Sequence, residues 1–378
     1  MTVKNSSVAR VSIADTTIRD EHLLTGDAQL LADLRRSEVW RSPALPVPER
    51  VLIARQLSEL GVDLIEAGFG DSQDDLMPLQ AVASEFRDGG PVISVAVRAL
   101  GDEERLAAAR DAIATAAKPR LNLYVAANDL VDDLGRFRRH PQQLLDETRS
   151  AVARAKQLVE DVEFSPPRTT VNAVEIAVEL TQVAIEEGAK TINVRTADER
   201  GDPEAFRTVL LELIRLVPGS HAVDFSADPF VRNLRGGKAS AAALSCAEAA
   251  IEAGCRQLKC AFHGIAGTPG HLPLELFTFN IWLRKHLGES HLWTGVDPTK
   301  LCQASERIAA AKGLDIPPTQ PLVGANTIDP QLADFPDDPL ERAQAAAALQ
   351  IVLNGLGRPL PGWLADWIDG RGEGLKAA

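Results

Sequence analysis

Residues 15–24 read Asp-Thr-Thr-Ile-Arg-Asp-Glu-His-Leu-Leu, and they directly follow the apolar run from Val8 to Ala14. That run is rich in β-branched and small residues, which is typical of a buried strand. The Arg19–Asp20 pair therefore stands just beyond the carboxyl end of a predicted strand. In barrels built from strands and helices, the residues at this end carry the chemistry.

The same alternation of strand and helix repeats along most of the chain. The predicted strands are 8–14, 62–69, 92–98, 121–127, 161–165, 189–196, 221–228 and 256–263. The predicted helices are 47–60, 74–88, 102–116, 141–158, 172–187, 203–216, 238–254 and 273–287. Eight such repeats predict an α/β fold, a closed (βα)8 or TIM barrel over residues 1–288, followed by a small, mainly helical subdomain over 289–378. An open doubly wound sheet is the alternative.

The amino-acid composition limits the kinds of molecule that the protein is expected to bind. The chain has 378 residues and a net charge of −13, and its isoelectric point is near 5.1. Nucleic acid or an anionic membrane would require a concentrated basic face, so neither is expected. The four cysteines show no Cys-x-x-Cys spacing, and no apolar run reaches the roughly 18–20 residues that span a bilayer. We therefore expect a cytoplasmic protein with reduced thiols.

Several stretches resemble one enzyme superfamily. Residues 15–20 are similar to the Asp-Thr-Thr-Leu-Arg-Asp-Gly-Glu-Gln signature of the isopropylmalate synthases, homocitrate synthases and hydroxymethylglutaryl-CoA lyases. Residues 60–69 and 252–254 add matches, and 295–301 and 317–326 resemble the subdomain that follows the barrel in the synthases. The resemblance implies a homodimer with that subdomain at its interface. It also implies a 2-oxo acid or related carboxylate as substrate and an acyl-CoA as co-substrate.

Three family motifs are altered in this chain. The His-x-His-Asn-Asp motif after the seventh strand reads Asp224-Phe225-Ser226-Ala227-Asp228. The Gly-Ile-Gly-Glu-Arg-Ala-Gly-Asn motif reads as residues 264–271, which places His271 where the motif has Asn. The Gly-Glu-Asn-Ala-Phe-Ala-His motif of the subdomain reads as residues 324–330 and ends in Pro330. The imidazoles of the first and third motifs are therefore absent.

A rearranged metal site is one interpretation of these changes. Asp20, Asp224 and His271 would bring two carboxylates and one imidazole to the ends of the first, seventh and eighth strands. Such a set could hold Mg²⁺, Mn²⁺, Fe²⁺ or Zn²⁺ with water in the remaining positions. The alternative has no metal, with Asp20 paired to an arginine and Asp224 a solvated or hydrogen-bonded loop residue.

Other polar residues at predicted strand ends are candidates for catalysis or substrate binding. We expect Arg19 to stabilise an enolate or hold a carboxylate, Glu66 to orient Arg19, and His22 to act as a general base. The expected substrate-binding residues are Arg98, Asn128, Thr196 and His263. For Glu66 and Arg98 the alternative is a structural ion pair, and for the two histidines it is a hydrogen-bonded structural role.

Three hypotheses for function follow. The first is an acyltransferase or carbon–carbon lyase that acts on a 2-oxo acid or related carboxylate with an acyl-CoA-type donor. The second is a metal-independent lyase or transferase on the same barrel. The third is a non-catalytic paralogue that pairs with an active synthase subunit.

Overall fold

The computed structural model describes residues 9–19, 45–71, 73–101, 103–130, 140–168, 174–196, 200–231, 237–318, 320–324, 339–359 and 362. Eight parallel strands in this part of the chain close into a barrel, each strand pairing with the next and the last with the first. The barrel strands are β2 (Ser12–Asp15), β3 (Leu64–Phe69), β4 (Val92–Arg98), β5 (Pro119–Tyr124), β6 (Asp161–Ser165), β7 (Thr191–Arg195), β8 (Asp224–Asp228) and β9 (Gln257–Cys260). The predicted barrel is confirmed, and the open sheet is excluded.

Helices follow the strands, as the apolar spacing predicts, and one four-residue helix after β5 was not predicted. They are α1 (Val47–Leu60), α2 (Gln73–Glu85), α3 (Glu103–Ile113), α4 (Ala127–Leu130), α5 (Pro141–Leu158), α6 (Val174–Glu186), α7 (Pro203–Leu216), α8 (Gly237–Ala253) and α9 (Leu274–His286). Proline at the start of α1, α5 and α7 suits the first turn, where its missing N–H leaves no helical hydrogen bond unmade. In α7 the side chain of Asp202 also accepts hydrogen bonds from the backbone of Glu204 and Ala205.

The first predicted strand is divided in two. Ala9–Arg10 forms β1, which pairs with β12 (Leu292–Trp293) outside the barrel, and only Ser12–Asp15 enters the barrel as β2. A two-stranded hairpin, β10 (Ile265–Ala266) with β11 (Thr268–Pro269), follows the last barrel strand. The pairing of β1 with β12 therefore connects the segment after the barrel to the residues that precede the first barrel strand.

Two further helices, α10 (Leu301–Lys312) and α11 (Pro339–Gly355), follow β12. Helix α10 packs against α1, and the ammonium of Lys300 donates to the carbonyl of Glu59. The domain boundary at residue 288 stays a prediction, because these packing contacts do not show where one domain ends and another begins. No helix in the described ranges is both long and apolar enough to cross a membrane.

Candidate active site at the carboxyl ends of the barrel strands

A tight turn after β2 positions Arg19. Both carboxylate oxygens of Asp15 accept hydrogen bonds from Thr17, from its backbone N–H and from its hydroxyl, each at 2.8 Å. The backbone N–H of Arg19 donates to the carbonyl of Thr16 at 3.0 Å. Burial raises the pKa of Asp15 to about 7, against the lowering effect of these bonds. The turn places Arg19 at the carboxyl-terminal opening of the barrel. We call this opening the mouth, and its residues are Arg19, Arg195, Asp228 and His271.

Glu66 fixes the guanidinium of Arg19. Its carboxylate pairs with Nη1 of Arg19, accepts from Nζ of Lys259 at 2.6 Å and accepts from Nδ2 of Asn122 at 3.0 Å. Burial alone would raise the pKa of Glu66, but the charges of Lys259 and Arg19 outweigh burial and hold that pKa at about 2. Glu66 is therefore an anion at neutral pH. The structure brings Arg19 and Glu66 together as the sequence predicts, and their roles in catalysis are taken up below as a proposal.

A closed loop of polar contacts lies beneath Arg19 in the barrel interior. Neighbouring members are joined by hydrogen bonds or ion pairs of 2.6–3.0 Å. The loop runs through Glu66, Asn122, Ser165, Asn193, Ser226, Gln257, Glu163 and Lys259. Burial alone would lower the pKa of Lys259, but Glu163 and Glu66 raise it, so the side chain is an ammonium ion. Each side chain of this loop, which forms the floor of the mouth, thus has two polar neighbours within the loop.

Asp228 is the carboxylate at the end of β8, and cationic or ionisable groups surround it. Its Oδ2 lies 3.8 Å from Nη2 of Arg19 and 3.6 Å from Nε of Arg195. Its Oδ1 lies 3.9 Å from Nδ1 of His271. The side chain of Asp228 is only 3% exposed, and its Oδ1 makes no hydrogen bond within the described part of the chain.

The structure corrects the metal site predicted from the sequence. Asp224 begins β8 and is exposed, whereas Asp228 ends it, about 13 Å further along the strand. The motif comparison had aligned Asp224 with a ligand. Asp224, Ser226 and Asp228 point to the same face of β8, but Asp224 is at the exposed start of the strand and only the other two are buried. Asp224 therefore cannot share an ion with His271. Asp20, the third predicted ligand, lies outside the described residues.

The described residues do not fit a divalent ion at this place. They contain no group of three or more metal-ligating side chains. An ion bound to Asp228 would stand close to the guanidiniums of Arg19 and Arg195, which already flank that carboxylate. At an effective dielectric constant of about 20, a unit charge repels a divalent ion about 5 Å away by roughly 7 kcal/mol. Two fixed cations thus oppose the binding of a metal to Asp228.

Thr196, which we expected to bind substrate, makes its side-chain hydrogen bonds to the protein backbone. Its hydroxyl donates to the carbonyl of Phe230 at 2.5 Å and accepts from the N–H of the same residue at 2.9 Å. The hydroxyl of Thr196 thus both donates to and accepts from the backbone of Phe230, so its observed role is to hold Phe230 in place. The ring of Phe230 then packs under the guanidinium of Arg195, 4.2 Å from ring centroid to Cζ, and against the ring of His271.

His263 and Arg98 also have structural partners. The Nε2 atom of His263 lies 2.6 Å from the hydroxyl of Ser305 on α10, and burial, followed by the charge of Lys312, lowers the pKa of His263 to about 4. Its imidazole is therefore neutral and joins the barrel to the following helix, which is the structural alternative to substrate binding. Arg98 pairs with Asp129 at 2.9 Å, the ion pair that the sequence left open.

The side chains of two predicted site residues are not among those that the structure describes. His22 lies outside the described residues, and for Asn128 the structure describes only the backbone, in α4. Conversely, Asp228 and Lys259 were missed as site residues. The signal for Asp228 was present, since it is the last residue of the predicted strand 221–228. The sequence gives no comparable indication for Lys259, because its partners Glu66 and Glu163 are far away in the chain and approach it only in the folded barrel.

Comparison with known proteins gives the context for this geometry. The HMGL-like family model matches residues 31–308. The 2-isopropylmalate synthase of Xylella fastidiosa (strain M23) is 31% identical over 297 residues, which cover 78% of this chain and 54% of the synthase. The corresponding synthase of Thermosynechococcus vestitus is 28% identical over 361 residues, or 93% of this chain and 63% of that protein. The chain spans about half the length of the curated relatives it matches.

Solved structures show the same fold at low identity. An HMG-CoA lyase from Acinetobacter baumannii, in complex with coenzyme A and 3-methylmalate, superposes with a TM-score of 0.56 at 18% identity, covering 90% of this chain and all of the lyase. The HMG-CoA lyase from Brucella melitensis gives a TM-score of 0.57 at 14% identity, over 81% and 99% of the two chains. These likenesses establish the barrel alone. Together with the match of the family model to most of the barrel, they lead to one identification: the chain belongs to the HMGL-like family.

Proposed function

We propose that this protein is an enzyme that makes or breaks a carbon–carbon bond next to a carboxylate, with an acyl-CoA-type compound as donor or product. The observation that carries the proposal is the Arg19–Glu66 pair. A permanently charged guanidinium is fixed by a buried carboxylate at the mouth, beside Asp228 and His271. Such a guanidinium can hold a substrate carboxylate or stabilise an enolate oxygen where little water reaches it.

The charges below Arg19 support this role. Because Lys259 already neutralises much of the charge of Glu66, the guanidinium keeps positive potential toward the mouth. Glu66 acts as a positioning residue in this proposal, since it touches Arg19 and not the substrate. His271 is the imidazole nearest to the cluster and is our candidate for proton transfer at the mouth. His22 stays a candidate base by sequence alone.

The acyl-CoA donor and the homodimer rest on the relatives. The matched proteins are named as 2-isopropylmalate synthases, and the A. baumannii lyase is described with coenzyme A bound. We extend an acyl-CoA-type reactant to this chain on that basis. The homodimer is a proposal of the same kind, and light scattering on the purified protein tests it.

A panel of condensations and cleavages tests the proposed activity. The purified protein is incubated with acetyl-CoA or propionyl-CoA and a set of 2-oxo acids, and separately with 3-hydroxy-3-methylglutaryl-CoA, and products are followed by thiol release and mass spectrometry. We expect turnover of at least one combination, reduced about 100-fold or more by Arg19→Ala. Arg207→Ala, on the outer face of α7, should match the wild type. Absence of turnover across the panel would favour the non-catalytic hypothesis.

A further inference from the structure

Two buried cations contact the turn that carries Arg19, and neither is one of the residues of the mouth. Nη1 of Arg50, on α1, donates to the carbonyl of Ile18 at 2.9 Å. Nζ of Lys312, the last residue of α10, donates to the carbonyl of Thr17 at 3.0 Å. Each of the two cationic residues is only 6% exposed. The two carbonyls directly before Arg19 are therefore each bound by a charged group from a helix outside the barrel sheet.

Each cation also binds a second element. Nζ of Lys312 donates to the carbonyl of Ile265, in the hairpin that follows β9, at 2.9 Å. Nη1 of Arg50 lies 3.5 Å from the carbonyl of Ala67, which directly follows Glu66 on β3. Lys312 thus joins the turn to the hairpin, and Arg50 joins the turn to β3.

Packing alone does not account for a cation at these two positions. A buried ammonium or guanidinium is unfavourable unless its N–H groups are hydrogen-bonded, and an apolar side chain of similar volume is often as good for stability. What the charge adds is a strong, directed bond, because a charged donor binds a carbonyl more tightly than a neutral donor does. In Arg50 and Lys312 these directed bonds meet consecutive residues of one turn.

The turn is attached to the barrel itself through β9 and the residues that follow it. The backbone N–H of Thr16 donates to the carbonyl of Cys260 at 2.8 Å, and the hydroxyl of Thr17 accepts from the N–H of Phe262 at 2.9 Å. Arg50 and Lys312 add contacts from α1 and α10, two helices that pack against each other. Because α10 follows the barrel in the chain, the segment after the barrel contributes to the position of the turn.

We infer that Arg50 and Lys312 are positioning residues, which hold the carbonyls of Ile18 and Thr17 and thereby fix the guanidinium of Arg19 at the mouth. The inference rests on the proposed function, because the position of Arg19 matters for catalysis only if Arg19 acts there. It goes beyond that function by naming two residues that lie outside the motifs of the family resemblance. A displacement of about 1 Å at a reacting group can lower a rate about 100-fold, so restraints of this kind have a measurable effect.

Hydrogen exchange followed by mass spectrometry tests the restraint without a substrate. In Lys312→Met and in Arg50→Met, the peptide covering residues 14–19 should exchange at least about 10-fold faster than in the wild type, because the turn can open locally. The peptide covering residues 191–195, from a strand that does not pair with β2, should stay within about 2-fold of the wild type. Lys312→Gln and Arg50→Gln, which keep a neutral donor, replace the methionine variants if those do not fold.

Two other cations of the same helix pair provide matched controls. Lys300 donates to the carbonyl of Glu59 at 2.9 Å, and Arg307 donates to the side chain of Gln56 at 2.8 Å. Each of them joins the segment after the barrel to α1 at a place other than the turn. Lys300→Met and Arg307→Met should therefore leave the exchange of the peptide covering residues 14–19 unchanged.

The exchange experiment has two results that would overturn the inference. Unchanged exchange of the peptide covering residues 14–19 in Lys312→Met or Arg50→Met would show that the substituted residue does not hold the turn. Equal acceleration of both peptides would show that the variant has lost overall stability, as expected of a cation that serves the whole barrel.

A double-mutant cycle tests whether the restraint acts through Arg19. With reactants that the turnover panel identifies, Lys312→Met should lower kcat/KM about 10- to 100-fold, but by less than about 3-fold when Arg19→Ala is already present. A lysine needed only for the stability of the barrel would lower kcat/KM equally in both backgrounds, and that result would contradict the inference. Absence of turnover by the wild type would instead count against the proposed function, and hydrogen exchange would still decide whether the two cations hold the turn.

Discussion

The Nζ atom of Lys259, on β9, lies 2.6 Å from Oε2 of Glu66, on β3, and neither side chain is more than 1% exposed. The two strands flank β2 on opposite sides, so the ion pair spans the barrel interior beneath the turn that carries Arg19. The same ammonium lies 2.8 Å from Oε1 of Glu163. One lysine thus connects the floor of the barrel to the residue that orients Arg19.

Replacing Lys259 should be strongly destabilising. Lys259→Met keeps the length of the side chain but leaves Glu66 and Glu163 buried without their shared cation. Removal of one partner of a buried ion pair costs about 3–5 kcal/mol of unfolding free energy. Urea denaturation followed by circular dichroism measures the loss. Lys190→Met, which removes an exposed pair with Glu160, is the control and should leave the urea midpoint nearly unchanged. Equal midpoints for the two variants would show that the interior pair is not a structural connection.

The pH dependence of stability should report Glu275. This carboxyl is fully buried, its Oε2 accepts a hydrogen bond from the backbone N–H of His263 at 3.1 Å, and burial raises its pKa from 4.5 to about 7. The folded state thus holds a proton that the unfolded chain releases near pH 4.5, so the contribution of Glu275 to stability is full below that pH and declines as the pH rises toward 7.

Glu275→Gln removes this decline while keeping an acceptor for His263. The stability of the variant relative to the wild type should therefore rise between pH 4.5 and 7, by an amount on the order of 3 kcal/mol. Urea midpoints measured across pH 4.5–8 for both proteins provide the test. Parallel curves would mean that Glu275 does not bind its proton more tightly in the folded state.

Loss of the Thr196 hydroxyl should affect stability before it affects binding. Thr196→Val removes both bonds to the backbone of Phe230 and leaves a buried N–H and carbonyl without these partners, which costs about 1–3 kcal/mol. Thermal unfolding is the measurement. Thr208→Val, at an exposed hydroxyl on α7, should leave the melting temperature nearly unchanged. A Thr196→Val protein with wild-type stability but weakened ligand binding would restore Thr196 as a substrate contact.

Activity with the reactants of the relatives should be low. Ser226 and Asp228 are the buried polar residues of β8 near the mouth, and imidazoles are absent from this strand. With acetyl-CoA and 2-oxoisovalerate, we expect release of CoA at least about 10³-fold slower than for the X. fastidiosa synthase assayed in parallel, since a positioned acid/base and an electrostatic element are both changed. Comparable rates would show that other residues perform the work of the missing histidines.

Periodicity in the sequence was enough to predict the barrel. The strands form where β-branched runs occur, and each helix has one apolar face that packs on them. The number and order of the elements can therefore be predicted from the local sequence pattern. The Arg19–Glu66 contact was also predicted from the sequence, since Arg19 follows β2 and Glu66 belongs to β3, its neighbour in the parallel sheet.

The tertiary structure decided which polar residues share the mouth. Asp224 and Asp228 belong to the same short strand, and only the register of β8 against β7, which pairs Thr191 with Asp224 and Arg195 with Asp228, shows that Asp228 is at the mouth. His263 and Thr196 looked equally available in the sequence, yet one contacts Ser305, 42 residues away, and the other the backbone of Phe230. A hydrogen bond depends on distances of about 3 Å between residues far apart in the chain, and local pattern does not encode such distances.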